Sequence, residues 1–359
     1  MFGQTNFAPK FAGLVAIFLL LLSPIVSANP AYNIVDLSKL LGDYSLSATG
    51  INNVGEIILT GGGGAAYFYS NGTLTQIGNS DSVTWANGIN DLGQVVGDSR
   101  LQTSSEFQAY LWSSSTGATI DPAPVGSHFS DAYAINNLGQ VAGQSQTIDG
   151  PPSPFLYDSS GSHLLTGFGN TIDPVAVAIN DSGEVVVEDF GQAFSYLDGT
   201  AINIGSLGAT TDAYSINNSG VIVGRSAYAN GITHAFIYDG THLIDIDPGN
   251  PIDSEAESIN DQGQVVGDIY GNGTRPVAFL YQDGMMYTLS SLLPLGPNGN
   301  PYEIGGNLLI NNAGEIVCTG GTDVMLLVPI VPAPSSAPVL LGLLALAAFS
   351  VRSRSQQWR

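Results

Sequence analysis

The densest run of acidic side chains is Asp245, Asp247, Asp253, Glu255 and Glu257. Carboxylates so closely spaced suit a hard divalent cation, which makes the run a candidate calcium site able to stiffen one junction between modules; a solvated acidic loop is the competing reading. No other spacing is marked for chemistry. The single cysteine, Cys318, is remote in sequence from His128, His163, His234 and His242, so a packed thiol fits it better than a nucleophile activated by histidine. No nucleophile-elbow string occurs, and none of the 30 carboxylates is paired by spacing for glycoside cleavage. Arg100, Arg225 and Arg275 each lie in or just after a return strand, spread over three modules. No catalytic residue is assigned, and no cofactor beyond calcium is expected.

These candidates sit in a chain of 359 residues with a formal net charge of −22. Outside the two ends only Lys39, Arg100, Arg225 and Arg275 oppose all 30 acidic residues. A nucleic-acid partner is excluded, because displacing counterions from phosphates needs a basic footprint. Ion-pair networks cannot hold such a body together, so its cohesion must come from apolar burial and backbone hydrogen bonds. A hydrophobic content of 44%, with aromatic residues throughout, argues against disorder.

Both ends read as addresses. Lys10, the apolar run from Phe11 to Leu22 and the small residues of Val26-Ser27-Ala28 have the layout of a secretory signal peptide, with cleavage expected after Ala28; an uncleaved anchor helix is the alternative. Residues 331–359 contain Pro332-Ala333-Pro334, a mostly apolar segment from Ala337 to Val351, and then Arg352, Arg354 and Arg359. This layout resembles the PEP-CTERM sorting signal of Gram-negative bacteria, from which it departs at Ala333, where Glu is usual. The resemblance implies the secretion machinery and an exosortase-type enzyme as partners, and transient membrane residence through the C-terminal segment. A plain membrane anchor is the alternative.

Between the ends, residues 29–330 repeat one string seven times, beginning Ile51-Asn52-Asn53-Val54-Gly55 and returning at Ile89, Ile135, Ile179, Ile216, Ile259 and Ile310. The mean interval is about 43 residues, a length that fits four short strands with their turns. Alternation such as Ala132-Tyr133-Ala134-Ile135 predicts a strand. Asn-Asn/Asp-x-Gly then predicts a tight reversal, the Asn side chain bonding its own backbone and the Gly taking a left-handed conformation. A return strand such as Val265-Val266-Gly267 follows, its Gly pointing to close backbone packing.

An aromatic strand comes next, as in Ala109-Tyr110-Leu111-Trp112 or Ala235-Phe236-Ile237-Tyr238. Its second and fourth residues share a face, so they suit burial between stacked sheets better than a sugar-stacking platform. A fourth strand completes each module except the last, which runs from Val324 to Val328 into the tail. Tyr32 to Leu37 supplies the missing pattern at the other end. The predicted fold is all-β: a seven-bladed β-propeller of four-stranded blades, closed by the N-terminal strand, with no free edge.

The repeated string with His234-Ala235-Phe236 is similar to the HAF-repeat extracellular proteins. That resemblance implies an extracellular repeat domain and supplies no catalytic residue. The expected role is a non-catalytic cell-surface or matrix protein of a Gram-negative bacterium, secreted through an inner-membrane-anchored precursor and binding polysaccharide or a surface protein. An extracellular polysaccharide hydrolase or lyase on the same scaffold, or a purely structural secreted repeat, are the alternatives.

Overall fold

The computed structural model describes residues 31–38, 46–78, 81–169, 172–271, 275–320 and 323–330. The expected signal-peptide residue Ala28 and the tail residues Pro332, Pro334, Arg352 and Arg354 lie outside them. The described chain forms seven four-stranded antiparallel sheets, each a blade of a β-propeller. Blades 1 to 6 are continuous in sequence, over residues 47–77, 82–120, 129–164, 175–203, 211–245 and 253–288. Blade 7 is composite: Leu309–Ile310, Ile316–Gly320 and Asp323–Pro329 are completed at the outer edge by Tyr32–Asp36. The register sets Tyr32 opposite Pro329 and Val35 opposite Leu326. The N-terminal strand closes the ring, as the repeat arithmetic requires. A 3-10 turn lies at Leu289–Leu292, and no helix among the described residues is long and apolar enough to cross a membrane.

The core lies between blades. In blade 2, Tyr110 and Trp112 pack on Ile58, Ala66 and Phe68 of blade 1, whereas Leu111 between them joins the cluster shared with blade 3. Period-two alternation thus sends the aromatic pair to the preceding blade and the residue between them to the following one. Phe155, Phe236 and Phe279 occupy the same place in later blades and are fully buried, each worth about 1.5–3 kcal/mol of apolar transfer. Cys318 is buried in the cluster between blades 6 and 7, and burial pushes its thiol well above the ordinary range.

The strand-ending glycines have a steric cause. A Cβ on Gly267 would lie 2.0 Å from the Glu255 carbonyl oxygen, and one on Gly97 2.0 Å from that of Trp85. The close approach arises beside a bulge. In blades 1 to 6 the inner strand shifts register between the Ala of Ala-x-x-Ile and the residue two places on. A bulge at this place re-aims the residue it contains.

Candidate functional site

Each inner strand runs toward the Asn-Asn/Asp-x-Gly reversal, so all seven reversals gather around the axis on one face, here called the turn face. In every blade the Oδ1 of the first Asn accepts two backbone N–H groups of its own turn, as Asn136 does from Leu138 (3.1 Å) and Gln140 (2.9 Å). Its Nδ2 then donates to the carbonyl of the equivalent Asn in the next blade: Asn52 to Asn90, Asn90 to Asn136, Asn136 to Asn180, Asn180 to Asn217, Asn217 to Asn260, Asn260 to Asn311, and Asn311 back to Asn52. The circle is closed by hydrogen bonds of 2.9–3.1 Å.

A second circle lies beside the first. The residues after these asparagines are Asn53, Asp91, Asn137, Asp181, Asn218, Asp261 and Asn312, and each backbone N–H donates to the side-chain Oδ1 of the next. Amides and carboxylates alternate, so the Oδ2 of Asp91, Asp181 and Asp261 accepts an Asn Nδ2 from both sides. Seven is odd, and alternation must fail once. It fails between Asn312 and Asn53, at the junction of blades 7 and 1 where the ring closes. The cavity of about 250 Å³ enclosed here is polar, but its three negative charges are already bound by amide donors and are not offered to a ligand.

The opposite face, which carries the connections between second and third strands and between blades, opens differently. A cavity of about 370 Å³, within the size range of small-ligand sites, lies on the axis there. Its lining includes the bulged residues Thr49, Asn87, Tyr133, Val177, Tyr214 and Glu257, with Leu308 from blade 7. One irregularity repeated six times aims six different side chains at one space.

Carboxylates stand behind that lining. Asn87 donates to Asp98 (3.2 Å) within blade 2 and to the Ala132 carbonyl (3.0 Å) of blade 3, where Tyr133 donates to Asp131 (3.1 Å). Burial, then the charge of Asp131, pushes Asp98 up to about 7. Between blades 4 and 5, burial and the charge of Asp212 likewise push Glu188 up to about 7, although the Ala213 N–H donates to it. Glu257 accepts the Leu308 N–H at 2.6 Å, and Asp268 accepts that of Gly306 at 2.8 Å. Burial of this pair holds both well above the usual carboxylate range. The buried Asp268 Oδ1 has no hydrogen-bond partner among the described residues. Arg225 is the cation of this region, held by Asp212 (3.0 Å) and Glu255 (3.2 Å), with its guanidinium carbon 5.9 Å from the Tyr214 ring centroid.

The five acidic residues singled out in sequence do not gather at one point, although the Asp247 N–H donates to Asp245 (2.8 Å). Asp245 accepts from His234 (2.9 Å) and Tyr228 (2.8 Å), Asp247 from Asn250, and Asp253 from the Thr233 N–H. Glu255 faces Arg225 and Tyr270, and Glu257 turns into the axial cavity. Among the described residues no group of three or more His, Cys, Asp or Glu is arranged to hold a metal ion. The histidine of His234-Ala235-Phe236 is buried: burial opposes its protonation, and the bond to and charge of Asp245, the bond to the Asn250 carbonyl and the charge of Asp247 together outweigh that and leave its pKa raised. Its place is structural, clasping the outer part of blade 5 through Asp245 and the Asn250 carbonyl.

Apart from Glu257, singled out for a different role, the lining residues escaped sequence reasoning, although a signal was present. Within a unit otherwise repeated closely, the first x of Ala-x-x-Ile takes Thr, Asn, Tyr, Val, Tyr and Glu in turn.

No protein-family model and no curated protein sequence matches the chain. Among solved structures it is similar to the β-propeller domain of the trilobed protease of Pyrococcus furiosus, described as having an open velcro topology (TM-score 0.55, 12% identity, 82% of this chain and 97% of that one). It is also similar to a streptogramin B lyase (0.50, 10%, 84% and 98%) and to an acylaminoacyl peptidase of Pyrococcus horikoshii (0.50, 12%, 76% and 48%). At these identities the likeness concerns architecture alone, and with seven sheets in a closed ring the chain is a seven-bladed β-propeller.

Proposed function

We propose that the protein is an exported, non-catalytic propeller of the cell surface or extracellular matrix that binds polysaccharide at the axial cavity opposite the turn face. The observation that carries this reading is the convergence of Tyr133, Tyr214, Asn87 and Glu257 on one cavity. Aromatic faces suit the apolar side of a pyranose, while carboxylates and amides suit its hydroxyls. Long connections on that face add variable contacts around a rigid mouth. The leader and tail support export, with the secretion machinery and an exosortase-type enzyme as processing partners.

Titration calorimetry of residues 29–330 against a panel of purified exopolysaccharides tests the reading. At least one is expected to bind, and Tyr214→Ala to weaken it by about tenfold or more, equivalent to about 1.4 kcal/mol. Binding that survives both Tyr133→Ala and Tyr214→Ala would remove the cavity from the account.

One observation favours a second reading, a polysaccharide hydrolase or lyase. Glu257 lines the cavity and is held protonated by burial, as a general acid must be. Product analysis on the polysaccharides that bind separates the two: cleavage abolished in Glu257→Gln with binding retained would make the protein an enzyme.

A further inference from the structure

Both ends of the propeller leave from one place. The Ile330 N–H donates to the Ala31 carbonyl (2.7 Å), and Tyr32 is paired with Pro329. The strand Asp323–Pro329 points toward the turn face, where Pro329 Cγ lies 3.7 Å from the position a Cβ on Gly314 would take in the blade 7 reversal. Six residues, 331–336, separate Ile330 from the apolar segment that starts at Ala337. Even fully extended they reach only about 20 Å.

The turn face is not uniform. At the reversal tips, the position before Gly holds Val54, Leu92 and Leu138 in blades 1 to 3, exposed by 64%, 64% and 70%. The later blades hold Ser182, Ser219, Gln262 and Ala313 there. The outer hairpins on the same face repeat the division. Asn71-Gly72 in blade 1 and Ser114 to Gly117 in blade 2 carry no charge, whereas blades 3 to 6 carry Asp158, Asp198, Asp239 and Asp283, so here the division falls one blade earlier. The apolar, weakly charged sector begins at blade 1, which is hydrogen-bonded to blade 7 through Asn312 and Asn53. It therefore adjoins the point where the tail departs.

We infer that the precursor rests on a lipid bilayer through its turn face, with Val54, Leu92 and Leu138 in contact with the membrane surface and the axial cavity directed away from it. This rests on the reading of residues 337–351 as a membrane segment. A tether of about 20 Å cannot hold the propeller clear of the bilayer. Apolar tips then lower the free energy of contact, and the acidic hairpins of blades 3 to 6 favour a tilt that lifts them from anionic headgroups. The orientation leaves the proposed polysaccharide site open while the chain is still anchored.

Full-length precursor in vesicles of phosphatidylcholine with phosphatidylglycerol tests this. Leu92→Cys on the turn face and Thr103→Cys on the opposite face each take a thiol-reactive fluorophore, since buried Cys318 does not compete. The expected result is flotation of both labelled proteins with the vesicles, and quenching by headgroup spin labels several-fold stronger at position 92 than at position 103. Flotation with equal quenching, or stronger quenching at 103, would overturn the orientation while leaving the anchor. Absence of flotation would overturn both. Shielding of position 92 that persists in detergent, or that rises with protein concentration, would assign the sector to the chain's own tail or to a second copy, and would also overturn the proposal.

Discussion

Asn136→Ala is expected to destabilise the propeller by about 3–5 kcal/mol, far more than its size suggests, in urea unfolding followed by tyrosine and tryptophan fluorescence. The side chain is buried and makes four hydrogen bonds: two accepted from the Leu138 and Gln140 N–H groups, one donated to Gln140 Oε1 (2.7 Å) and one to the Asn180 carbonyl (2.9 Å). Alanine leaves the partners of all four without these hydrogen bonds. Asn136→Asp dissects the loss. It keeps the acceptor that shapes the turn and replaces the donor with an anionic oxygen aimed at the Asn180 carbonyl and at Gln140 Oε1, so what it loses is the link between blades 3 and 4 together with the bond to Gln140. If Asp is tolerated within about 1 kcal/mol, the residue serves its own turn and the axial circle is incidental.

The second large effect is an inverted dependence of stability on pH. Asp98, Glu188, Glu257 and Asp268 all have folded pKa values above the ordinary carboxylate range, caused first by burial and then by neighbouring carboxylates. The unfolded chain therefore releases these protons near pH 4, while the folded chain keeps them until about pH 6 for Asp268, about 7 for Asp98 and Glu188 and about 8 for Glu257. Between those limits the folded state binds more protons, so stability falls as pH rises. His234, whose folded pKa is also raised, adds to the trend, since its contribution is present in acid and lost as pH rises through its folded pKa. Asp239, pulled down to about 2 by its Thr241 and His242 bonds, acts oppositely, but only at more acidic pH. With each buried carboxyl contributing about 1–2 kcal/mol after relaxation, Tm at pH 8 should lie on the order of 5–10 °C below Tm at pH 5. A scanning-calorimetry profile with its maximum at pH 7–8 would show these carboxyls to be ionised or solvated in the folded protein. Asp98→Asn should flatten the slope.

What the sequence discloses and what it withholds divide along a physical line. The repeat shows what one unit does within itself: Asn136 turning its own backbone, Gly267 admitting the Glu255 carbonyl, Tyr110 and Trp112 sharing a face. It also discloses ring closure, because Tyr32 to Leu37 carries a pattern missing after Val328. Contacts between units were hidden, since the hydrogen bonds joining Asn52 to Asn90 or Asn260 to Asn311 span 38 and 51 residues and exist only once the curvature of the ring is fixed. The axial cavity was hidden for a related reason. Strict alternation gives Glu255 and Glu257 the same face, and the bulge after Ala256 sends Glu257 to the axis while Glu255 meets Arg225. A run of acids contiguous in sequence therefore becomes separate hydrogen-bond networks in space.

The axial circle, the cavity and the shared exit of both ends all depend on the closure of the ring. Asn33 and Val328 are register partners in blade 7, and antiparallel partners lie about 4.5–5.5 Å apart at Cα, within reach of a disulfide. In Asn33→Cys/Val328→Cys the account predicts rapid oxidation to an intramolecular disulfide in a monomer, with a raised and still cooperative melting transition. Three free thiols after oxidation, Cys318 among them, or disulfides formed only between chains, would mean that the N-terminal strand does not complete blade 7 of its own ring.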